Sequence, residues 1–576
     1  MNIGTGLLKI VATATLLGGV SLSGAASASA MVQVHNNAPA LGASKMTGHH
    51  NPRAKLDISV ALKLRDSAGL DAFIASLHDK NSPNYRKFLT PTQFRDTYGP
   101  TQAQVDAVKA FLTSHGIKVT SVSANRTRIH GTATTAVLES AFGVAINDYK
   151  YQGTTFYSAS GDPSLPESIV GTVHAVMGLD NVVTLTSHSI QGPKVAQPRA
   201  GAGPSGYSPQ QIATFYDWPD ITDTANGAGV TIAIGTAFTF RVKDVQKFWS
   251  TYGLPTHAIS IVQIDGATRV LNGETTLDIE RSSSMAPGAA IKVYEASTPA
   301  FVSFDDEFVQ IATDDDAQVV STSWGAAERD GQVGIDPHLV PDASIVSEHE
   351  SFQQMAAQGQ VVLAAAGDDG AADRTTSNDA ADFPSSDPYV IAAGGTSLPD
   401  LGDHTSEVAW SGAGGADSKL FAEPIYQTIA PGWVSNTGCD DDHTLDFVDF
   451  GCVSAGAPSR QSSDMSMDAN PGTGYSIYYN GRWEVFGGTS FVAPELAGFF
   501  AILAGNDIAA NSASGFEGPG PALLYCTVTN AGNYAIEFND ITAGSNGFPA
   551  GAGWDHPTGW GTPKATQLLF DLPGCF

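Results

Sequence analysis

Six short apolar segments recur between helical patterns in the later part of this 576-residue chain. They are Val230–Ile234, Ile259–Ile264, Ile291–Tyr294, Val319–Ser323, Val361–Ala366 and Val390–Ala393. Continuous apolar strands that alternate with helices are typical of a parallel sheet with helices on both faces, because both faces of each strand are then buried. The sequence therefore predicts an α/β domain whose functional groups lie at the carboxyl ends of its strands.

The N-terminus has the pattern of a secretory signal peptide at residues 1–30. Lys9 precedes an apolar stretch that ends in the small residues Ala28-Ser29-Ala30, as in a cleavable leader. We expect a secreted, extracellular protein. We also expect no membrane partner, since no later run reads as the 18 or more apolar residues of a spanning helix.

Two domains are expected after the signal, because 576 residues exceed one ordinary hydrophobic core. Residues 31–186 mix short strand and helix patterns, which predicts a compact α+β domain. Residues 187–206 are rich in Pro, Gly and small residues and predict an exposed, cleavable linker. Residues 207–576 hold the six apolar segments and form the second domain.

The charge of the chain changes sign near the same linker. Residues 31–200 carry 16 Lys and Arg against 11 Asp and Glu, and residues 201–576 carry 12 against 47. The strongly acidic second part argues against nucleic acid as a partner. So many carboxylates are tolerable where a large share of them is protonated, which points to acidic working conditions.

The four cysteines fit an oxidising compartment. Cys439 and Cys452 flank a short acidic loop, while Cys526 and Cys575 both lie near the C-terminus. Of the three possible pairings, this spacing favours Cys439–Cys452 with Cys526–Cys575. Neither the spacing nor the nearby histidines indicates a zinc site.

Ser490 is a candidate nucleophile in the run Val-Phe-Gly-Gly-Thr-Ser-Phe-Val-Ala-Pro at 485–494. The glycines allow a sharp turn, after which the apolar segment from Phe491 to Leu503 predicts a buried helix. Unpaired N–H groups at a helix start can stabilise a developing oxyanion beside such a hydroxyl. Ser490 also suits the ordinary N-cap of a core helix, and this run alone leaves both interpretations open.

The group that would activate Ser490 decides which nucleophilic chemistry the chain could carry out. A Ser-His-Asp triad would need a suitable histidine in the second domain, beside Ser490. The single His-Gly-Thr of the chain lies at His130, before the linker, so a histidine triad fits poorly. Glu274 and Asp278 are spaced i and i+4, so on a helix they would stack on one face and share a proton. Asp368 follows an apolar strand segment, where a protonated acid could donate to an oxyanion. Each acid in isolation could equally lie on an exposed helix or in an Asp-Gly turn.

Together with the Ser490 run, these stretches resemble the sedolisin family of serine-carboxyl peptidases, particularly its kumamolisin-like branch. Residues 82–94 and 98–101 are similar to the activation domain of those zymogens, and 207–209 to the start of their mature enzyme. Further similar stretches lie at 323–325, 382–384 and 470–475. The resemblance covers nearly the whole chain after the signal and implies a subtilisin-like parallel sheet preceded by an α+β, ferredoxin-like prodomain.

The resemblance implies a role for each candidate acid. Ser490 would be the nucleophile, Glu274 the general base, and Asp278 the residue that orients Glu274 and shares its proton. Asp368 would supply the oxyanion hole. A carboxylate base titrates near about pH 4, where an imidazole is protonated and useless as a base, so this set implies an acid-working enzyme.

The resemblance also places two residues at the substrate. Trp324 and Asp382 would line the substrate site, with Asp382 a pocket acid that favours a basic side chain. Some relatives carry an additional glutamate after the first strand, which extends the carboxyl chain toward the tryptophan matched by Trp324. Here that strand reads Ile-Ala-Ile-Gly-Thr at 232–236, without an acid.

One structural Ca²⁺ is implied by residues 539–542 and 550–555, which resemble the calcium loop of the family. Carboxylate and carbonyl oxygens suit a hard cation, although an ordinary glycine-rich turn is the alternative. The implied ligands are the side chains of Asp540 and Asp555 and the carbonyls of Ile541, Gly551 and Gly553.

These expectations combine into one hypothesis. The protein would be a secreted, acid-active serine endopeptidase, made as an autoactivating zymogen whose basic prodomain sits on the acidic domain as an intramolecular inhibitor. It would cleave protein or peptide substrates as a monomer, after cleavage in the 187–206 linker. The alternatives are a catalytically inactive, calcium-stabilised binding protein and a histidine-based, subtilisin-type protease.

Overall fold

The computed structural model describes residues 30–575 except for 36, 40, 193–203, 329–341, 376, 440–455, 512–519 and 530–533. The expected signal peptide and Cys452 therefore lie outside the described residues.

The N-terminal domain is built on a four-stranded antiparallel sheet. Its strands, in sheet order, are Lys118–Val122, Arg128–Thr134, Lys55–Leu62 and Val173–Met177. Helices lie between the first and second and between the third and fourth strands in chain order, which gives the βαββαβ arrangement of a ferredoxin-like fold, as predicted. The helices of this domain are Ser67–Leu77, Pro91–Thr97, Gln102–Ser114, Thr135–Phe142 and Glu167–Val170, and its further strands are Met31–Gln33, Lys45–His49, Ile146–Tyr151, Thr154–Ala159 and Ser164–Pro166.

The C-terminal domain is built on an eight-stranded sheet that contains all six predicted segments. Its neighbouring strands are Ile259–Ile264, Ala290–Ala296, Thr231–Ala237, Val319–Thr322, Val361–Ala365 and Val390–Ser397, and the last of these also pairs with Val408–Ala409 and Met465–Asp468. Val408–Ala409 pairs antiparallel, and the other pairings are parallel. The predicted subtilisin-like parallel sheet is confirmed.

Helices cover both faces of this sheet. Along the strand Thr231–Ala237, Ile232 and Ile234 lie in one hydrophobic core with Leu277 and Phe491, while Ala233 lies in a second core on the opposite face. Alternate residues of one strand therefore serve two cores, as expected of a doubly covered sheet.

Two helices on the first face carry the candidate residues. Gly273–Met285 is called the Glu274 helix and Thr489–Asn511 the Ser490 helix. Other helices of the domain are Pro209–Phe215, Val242–Tyr252, Phe301–Asp314, Asp342–Gln358, Ile425–Thr428, Gly520–Thr529, Tyr534–Glu537 and Ala565–Asp571, with 3₁₀ turns at Gly370–Ala372, His404–Ser406 and Leu572–Cys575. The remaining strands are Trp324–Ala327, Asp382–Phe383, Asp417–Ala422, Ser459–Gln461, Tyr475–Tyr479, Arg482–Gly487, Phe538–Asn539 and Thr562–Pro563.

Part of the Ser490 helix, Thr489–Ala510, is long and apolar enough to cross a membrane by length and composition. The expectation that no segment after the signal reaches that length was therefore wrong. Of its most apolar stretch, 83% is buried inside the protein, because the helix lies in the centre of the domain. The apolar composition of the helix is therefore explained by its packing in the core.

The N-terminal domain docks on the helix Asp342–Gln358 of the C-terminal domain. Leu70 and Phe94 pack in one cluster with Ala356 and Ala357, and the Leu89 N–H donates to the Ala357 carbonyl (2.9 Å). Every residue of this helix is buried, since the sheet covers one side and the N-terminal domain covers the other.

Candidate active site

The Glu274 helix presents two acids to the interior. The side chain of Asn272 caps the helix by accepting the Glu274 N–H (2.9 Å). Glu274 and Asp278 follow each other by one turn, and each is 1% exposed. The predicted i, i+4 pair therefore lies on a buried helix, and the alternative of two exposed acids was wrong.

The surroundings of this pair favour one shared proton. Burial raises the pKa of Glu274 to about 7. Burial and the neighbouring charge of Glu274 raise the pKa of Asp278 well above its usual range. The Ser323 hydroxyl donates to Asp278 Oδ1 (2.8 Å) and offsets part of this rise. Four serine hydroxyls lie close enough to Glu274 to offset part of the rise in its pKa. They belong to Ser189, Ser490, Ser323 and Ser187.

Ser490 begins its helix at the turn that the glycines allow. Gly488 has φ +112°, and a Cβ there would lie 2.3 Å from Asp368 Oδ2 and from the His188 carbonyl oxygen, so this position requires glycine. The side chain of Ser490 is fully buried, and its hydroxyl has no hydrogen-bond partner among the described residues. It lies close enough to Glu274 to lower the pKa of that acid, and as the second residue of the helix it is not the N-cap.

Asp368 lies against the start of the same helix. It follows the strand Val361–Ala365, and its Oδ1 accepts the Thr489 N–H (2.7 Å) and the Thr489 hydroxyl (3.0 Å). Its Oδ2 is buried and has no hydrogen-bond partner in the described part of the chain. Burial raises the pKa of Asp368 to about 7, so in acid this second oxygen carries a proton that it can donate.

Residues 186–191 lie between two strands of the C-terminal domain, a placement that the sequence did not predict. Thr186–Ser187 pairs antiparallel with Trp324–Ala327, and Ile190–Gln191 pairs antiparallel with Arg482–Gly487. The expectation of an exposed linker was wrong for His188, which is buried, whereas Ile190 and Gln191 are exposed although they pair with a strand. Residues 193–203 lie outside the described residues. Alternating Thr, Leu and Ile in the sequence before and after 187 could have indicated an extended strand.

His188, at the centre of this segment, touches the candidate nucleophile. Its N–H donates to the Ser323 carbonyl (3.0 Å), and its carbonyl accepts the Ser490 N–H (3.0 Å). Its imidazole enters a buried pocket in which Nε2 lies 3.1 Å from Asp382 Oδ2. The structure thus brings Asp382 to the same cleft as Ser490.

Trp324 lies at the other predicted substrate position, where its backbone pairs with Ser187. Its Nε1 donates to the Thr236 hydroxyl (3.1 Å), which in turn contacts the Thr275 hydroxyl (3.1 Å). Two hydroxyls therefore connect Trp324 to the Glu274 helix. They lie at the end of the strand Thr231–Ala237, which carries no acid in this chain.

An ion pair that the sequence did not reveal joins the Glu274 helix and the Ser490 helix. Arg281 donates through Nε to Glu495 Oε1 (2.8 Å), and both side chains are fully buried. The guanidinium also lies over the Tyr475 ring, 4.7 Å from its centroid. The pair ties the helix of Glu274 to the helix of Ser490.

His130, the histidine of the single His-Gly-Thr, lies at the contact between the two domains. There its ring faces Asp306 of the C-terminal domain (3.4 Å). A triad built on His130 therefore finds no support.

The predicted calcium loop brings its two acids to one place. Asp540 Oδ1 accepts the Gly553 N–H (3.1 Å), and Asp555 Oδ2 accepts the Gly551 N–H (2.9 Å). The carbonyls of Ile541, Gly551 and Gly553 accept no hydrogen bond from a described residue. Carboxylate and carbonyl oxygens are the donors that Ca²⁺ prefers, so the residues present fit this ion by type. Across the described residues there is no group of three or more His, Cys, Asp or Glu side chains that could hold a metal.

Cys439 and Cys526 are both disulfide-bonded. Cys452 lies outside the described residues, and so does the side chain of Cys575. The pairing Cys439–Cys452 with Cys526–Cys575 stays a prediction.

Known proteins share both parts of this architecture. The activation domain of pro-kumamolisin matches residues 43–182, and the subtilase family matches residues 264–561. Sedolisin of Pseudomonas sp. (strain 101) is 29% identical over 89% of this chain and 86% of its own length. Kumamolisin of Bacillus sp. (strain MN-32) is 29% identical over 89% and 91%.

A solved structure agrees with these sequences. Pseudomonas sedolisin, a serine-carboxyl proteinase complexed with two molecules of pseudo-iodotyrostatin, covers 65% of this chain and 100% of its own, with 26% identity and a TM-score of 0.52. The chain therefore belongs to the subtilase family and is, within it, a sedolisin-family peptidase zymogen with an activation prodomain.

Proposed function

We propose that this chain is a secreted, acid-active serine endopeptidase that matures by cleaving its own linker between His188 and Ser189. The observation that carries the proposal is the hydrogen bond from the Ser490 N–H to the His188 carbonyl (3.0 Å). A peptide carbonyl held by the N–H of the nucleophile lies where an oxyanion would form. The antiparallel pairing on either side of His188 holds the segment as an extended substrate.

The chemistry follows from the positions of three groups. Ser490 Oγ attacks the His188 carbonyl carbon while its proton passes to the carboxylate of Glu274. The negative charge on the His188 oxygen is stabilised by the Ser490 N–H and by the proton of Asp368. Glu274 then gives the proton to the Ser189 nitrogen as the peptide bond breaks, and water hydrolyses the acyl-enzyme by the reverse sequence.

The pKa of Asp368 supports work in acid, whereas the pKa of Glu274, which burial also raises to about 7, limits the base at low pH. Asp368 must be protonated to donate, and its pKa of about 7 keeps it so at lower pH. Glu274 and Asp278 repel each other when both are ionised, so one proton stays on the pair while the other carboxylate can act as a base. Activity then falls as the pH rises through the pKa of Asp368.

The N-terminal domain is suited to act as an inhibitor. Arg128 makes two hydrogen bonds to Asp305 across the contact between the domains (2.6 and 2.7 Å), and both side chains are fully buried. His174 pairs with Glu350 in the same contact (2.8 Å). Basic groups of the prodomain thus meet acids of the peptidase domain, and the docking keeps residues 186–191 in the cleft.

The direct test is acidification of the purified precursor at about pH 4, near the usual carboxyl pKa. Intact mass and N-terminal sequencing should show a product that starts at Ser189, or a later trimmed form, and Ser490→Ala should remain whole. Processing of Ser490→Ala at the wild-type rate would overturn the proposal. So would a precursor that stays intact from pH 3 to 6.

The calcium loop is proposed to hold one structural Ca²⁺ between Asp540 and Asp555. A bound ion stabilises by about 2.7 kcal/mol when its concentration is 100 times Kd, so EDTA should lower the Tm of the Ser490→Ala precursor. Asp540→Asn should remove the difference between calcium and EDTA, with Mg²⁺ as the control ion. Equal Tm values in calcium and EDTA would contradict this site.

A further inference from the structure

The segment that follows the proposed cleavage site runs along one edge of the strand Arg482–Gly487. Ile190–Gln191 pairs antiparallel with this strand, and the Gly192 N–H donates to the Val485 carbonyl (2.9 Å). The opposite edge of the strand pairs with the preceding strand of its hairpin. Departure of the linker therefore leaves a strand edge at which another extended peptide can pair in the same register.

Glu484 on this strand contacts the side chain of Gln191. The Gln191 amide donates through Nε2 to Glu484 Oε2, and Arg482 donates through Nε to Glu484 Oε1. The Glu484 side chain is 4% exposed, whereas that of Arg482 is 61% exposed. In the described part of the chain, no other donor reaches Glu484 Oε2. Because Arg482 already balances the charge of this acid, a neutral amide completes its hydrogen bonding without adding a second cation.

The next position of the segment has no room for a side chain. A Cβ at Gly192 would lie 2.7 Å from the Pro471 carbonyl oxygen and 3.2 Å from the Val485 carbonyl oxygen. Both oxygens belong to the backbone, so the peptide or the strand would have to shift in order to admit even alanine.

We propose that this strand edge is a specificity subsite on the C-terminal side of the cleaved bond. Glu484 selects an amide side chain at the third residue after the bond, and the backbone selects glycine at the fourth. The inference rests on the proposed function and names its substrate class, extended peptides that carry Gln-Gly at these two positions.

The selection follows from the partner that Glu484 would lose. A methionine in place of Gln191 has a similar length and would cover Glu484 Oε2 without donating to it, and a covered acceptor without a partner is costly. The effect is confined to the third residue, because side chains alternate along a strand and that of Ile190 points to the opposite face.

The test uses matched peptides based on residues 184–192, Thr-Leu-Thr-Ser-His-Ser-Ile-Gln-Gly, with Gln or Met at position 191 and Gly or Ala at position 192. We expect the acid-matured enzyme to have a kcat/KM for the Gln peptide about tenfold above that for the Met peptide. Alanine at position 192 should lower kcat/KM by a similar factor. In Glu484→Met the Gln-to-Met ratio should fall to within about twofold, while the Gly-to-Ala ratio should persist.

Replacement of Ile190 by Met in the peptide is the matched control, because its effect should be the same in wild type and in Glu484→Met. Cleavage of the Met peptide between His188 and Ser189, located by mass spectrometry, shows that the variant is folded and active. A Gln-to-Met ratio near 1 in the wild type, or one that Glu484→Met leaves unchanged, would overturn the subsite while leaving the peptidase intact. If no peptide is cleaved faster by wild type than by Ser490→Ala, the proposed function itself fails.

Discussion

Two groups of buried acids in this protein differ in what faces them. In the proposed catalytic centre, Glu274, Asp278 and Asp368 face the hydroxyls and N–H groups of serines and threonines. At the contact between the domains, Asp305 faces the guanidinium of Arg128 in a paired, charge-assisted geometry. Neutral donors only partly offset the cost of burying a charge, whereas a guanidinium holds the carboxylate ionised. The first group can therefore change its protonation in the working range, whereas the carboxylate of the second faces a fixed positive charge.

Two helices that are buried along their whole length differ in what encloses them. The Glu274 helix packs on its own domain through Leu277, Ile279 and Met285, and Ser187 and Ser189 of the linker approach Glu274 at its start. The helix Asp342–Gln358 is enclosed partly by the prodomain, through contacts such as Asn125 Nδ2 to Gln354 Oε1 (2.8 Å) and Gln353 to Asp71 (2.7 Å). Loss of the prodomain and linker should therefore uncover one face of the second helix, and on the first it should open the end that carries Glu274.

Glu274→Gln should give the largest effect, because glutamine keeps the shape of the base and cannot accept the proton of Ser490. We expect kcat on a peptide substrate to fall by about 10⁴-fold with little change in KM. Thermal unfolding should show that the variant is folded. A loss of less than tenfold would mean that another group is the base.

Arg128→Met tests the charged side of the comparison. It leaves Asp305 buried without its cation, which costs about 3–5 kcal/mol, and the prodomain should separate from the peptidase domain at lower denaturant. The measurement is limited proteolysis of a Ser490→Ala precursor in a urea series. Arg126→Met is the matched control, since that arginine is 26% exposed and lies 4.0 Å from its acid. Equal behaviour of the two variants would contradict a buried pair that holds the domains together.

Much of the fold and most of the site follow from local patterns in the sequence. The strand Ile259–Ile264 has the predicted bounds, and the other five apolar segments lie within or beside strands of the same sheet. The spacing of Glu274 and Asp278 fixed them on one helix face, and the glycines before Ser490 fixed the turn. Periodicity and turn chemistry act over a few residues, so a single sequence reveals them.

Long-range contacts account for what the sequence did not reveal. Arg281 and Glu495 are 214 residues apart, and no local pattern marks either as buried. The strand at Ile190–Gln191 pairs with residues almost three hundred positions later, so its composition alone indicated a linker. Asp373, three residues after Gly370, comes to lie beside Asp382 only when the strand Asp382–Phe383 folds next to it.

Asp368 is the acid through which the catalytic centre should respond most clearly to pH. Asp368→Ala removes an oxyanion donor and should cost about 10²- to 10³-fold in kcat. Asp368→Asn keeps a donor that does not titrate. Because the wild-type acid donates only below its pKa of about 7, activity in the wild type should fall as the pH rises through that value, and in Asp368→Asn this limb should flatten. An unchanged pH profile in the Asn variant would exclude Asp368 as the donor.

Ser323→Ala should have the smallest effect, since it removes one neutral hydrogen bond from Asp278 and leaves every charged group in place. The loss is worth about 1 kcal/mol, or roughly fivefold in kcat/KM. The Ser323 hydroxyl lowers the pKa of both Asp278 and Glu274, so without it both pKa values rise. The base then ionises at higher pH, and the acidic limb of the profile should move upward. Ser321→Ala is the matched control, because Ser321 lies on the strand Val319–Thr322 and its buried hydroxyl has no partner among the described residues. If both serines gave the same profile, hydroxyls would not tune the carboxyl pair, and burial alone would account for its pKa.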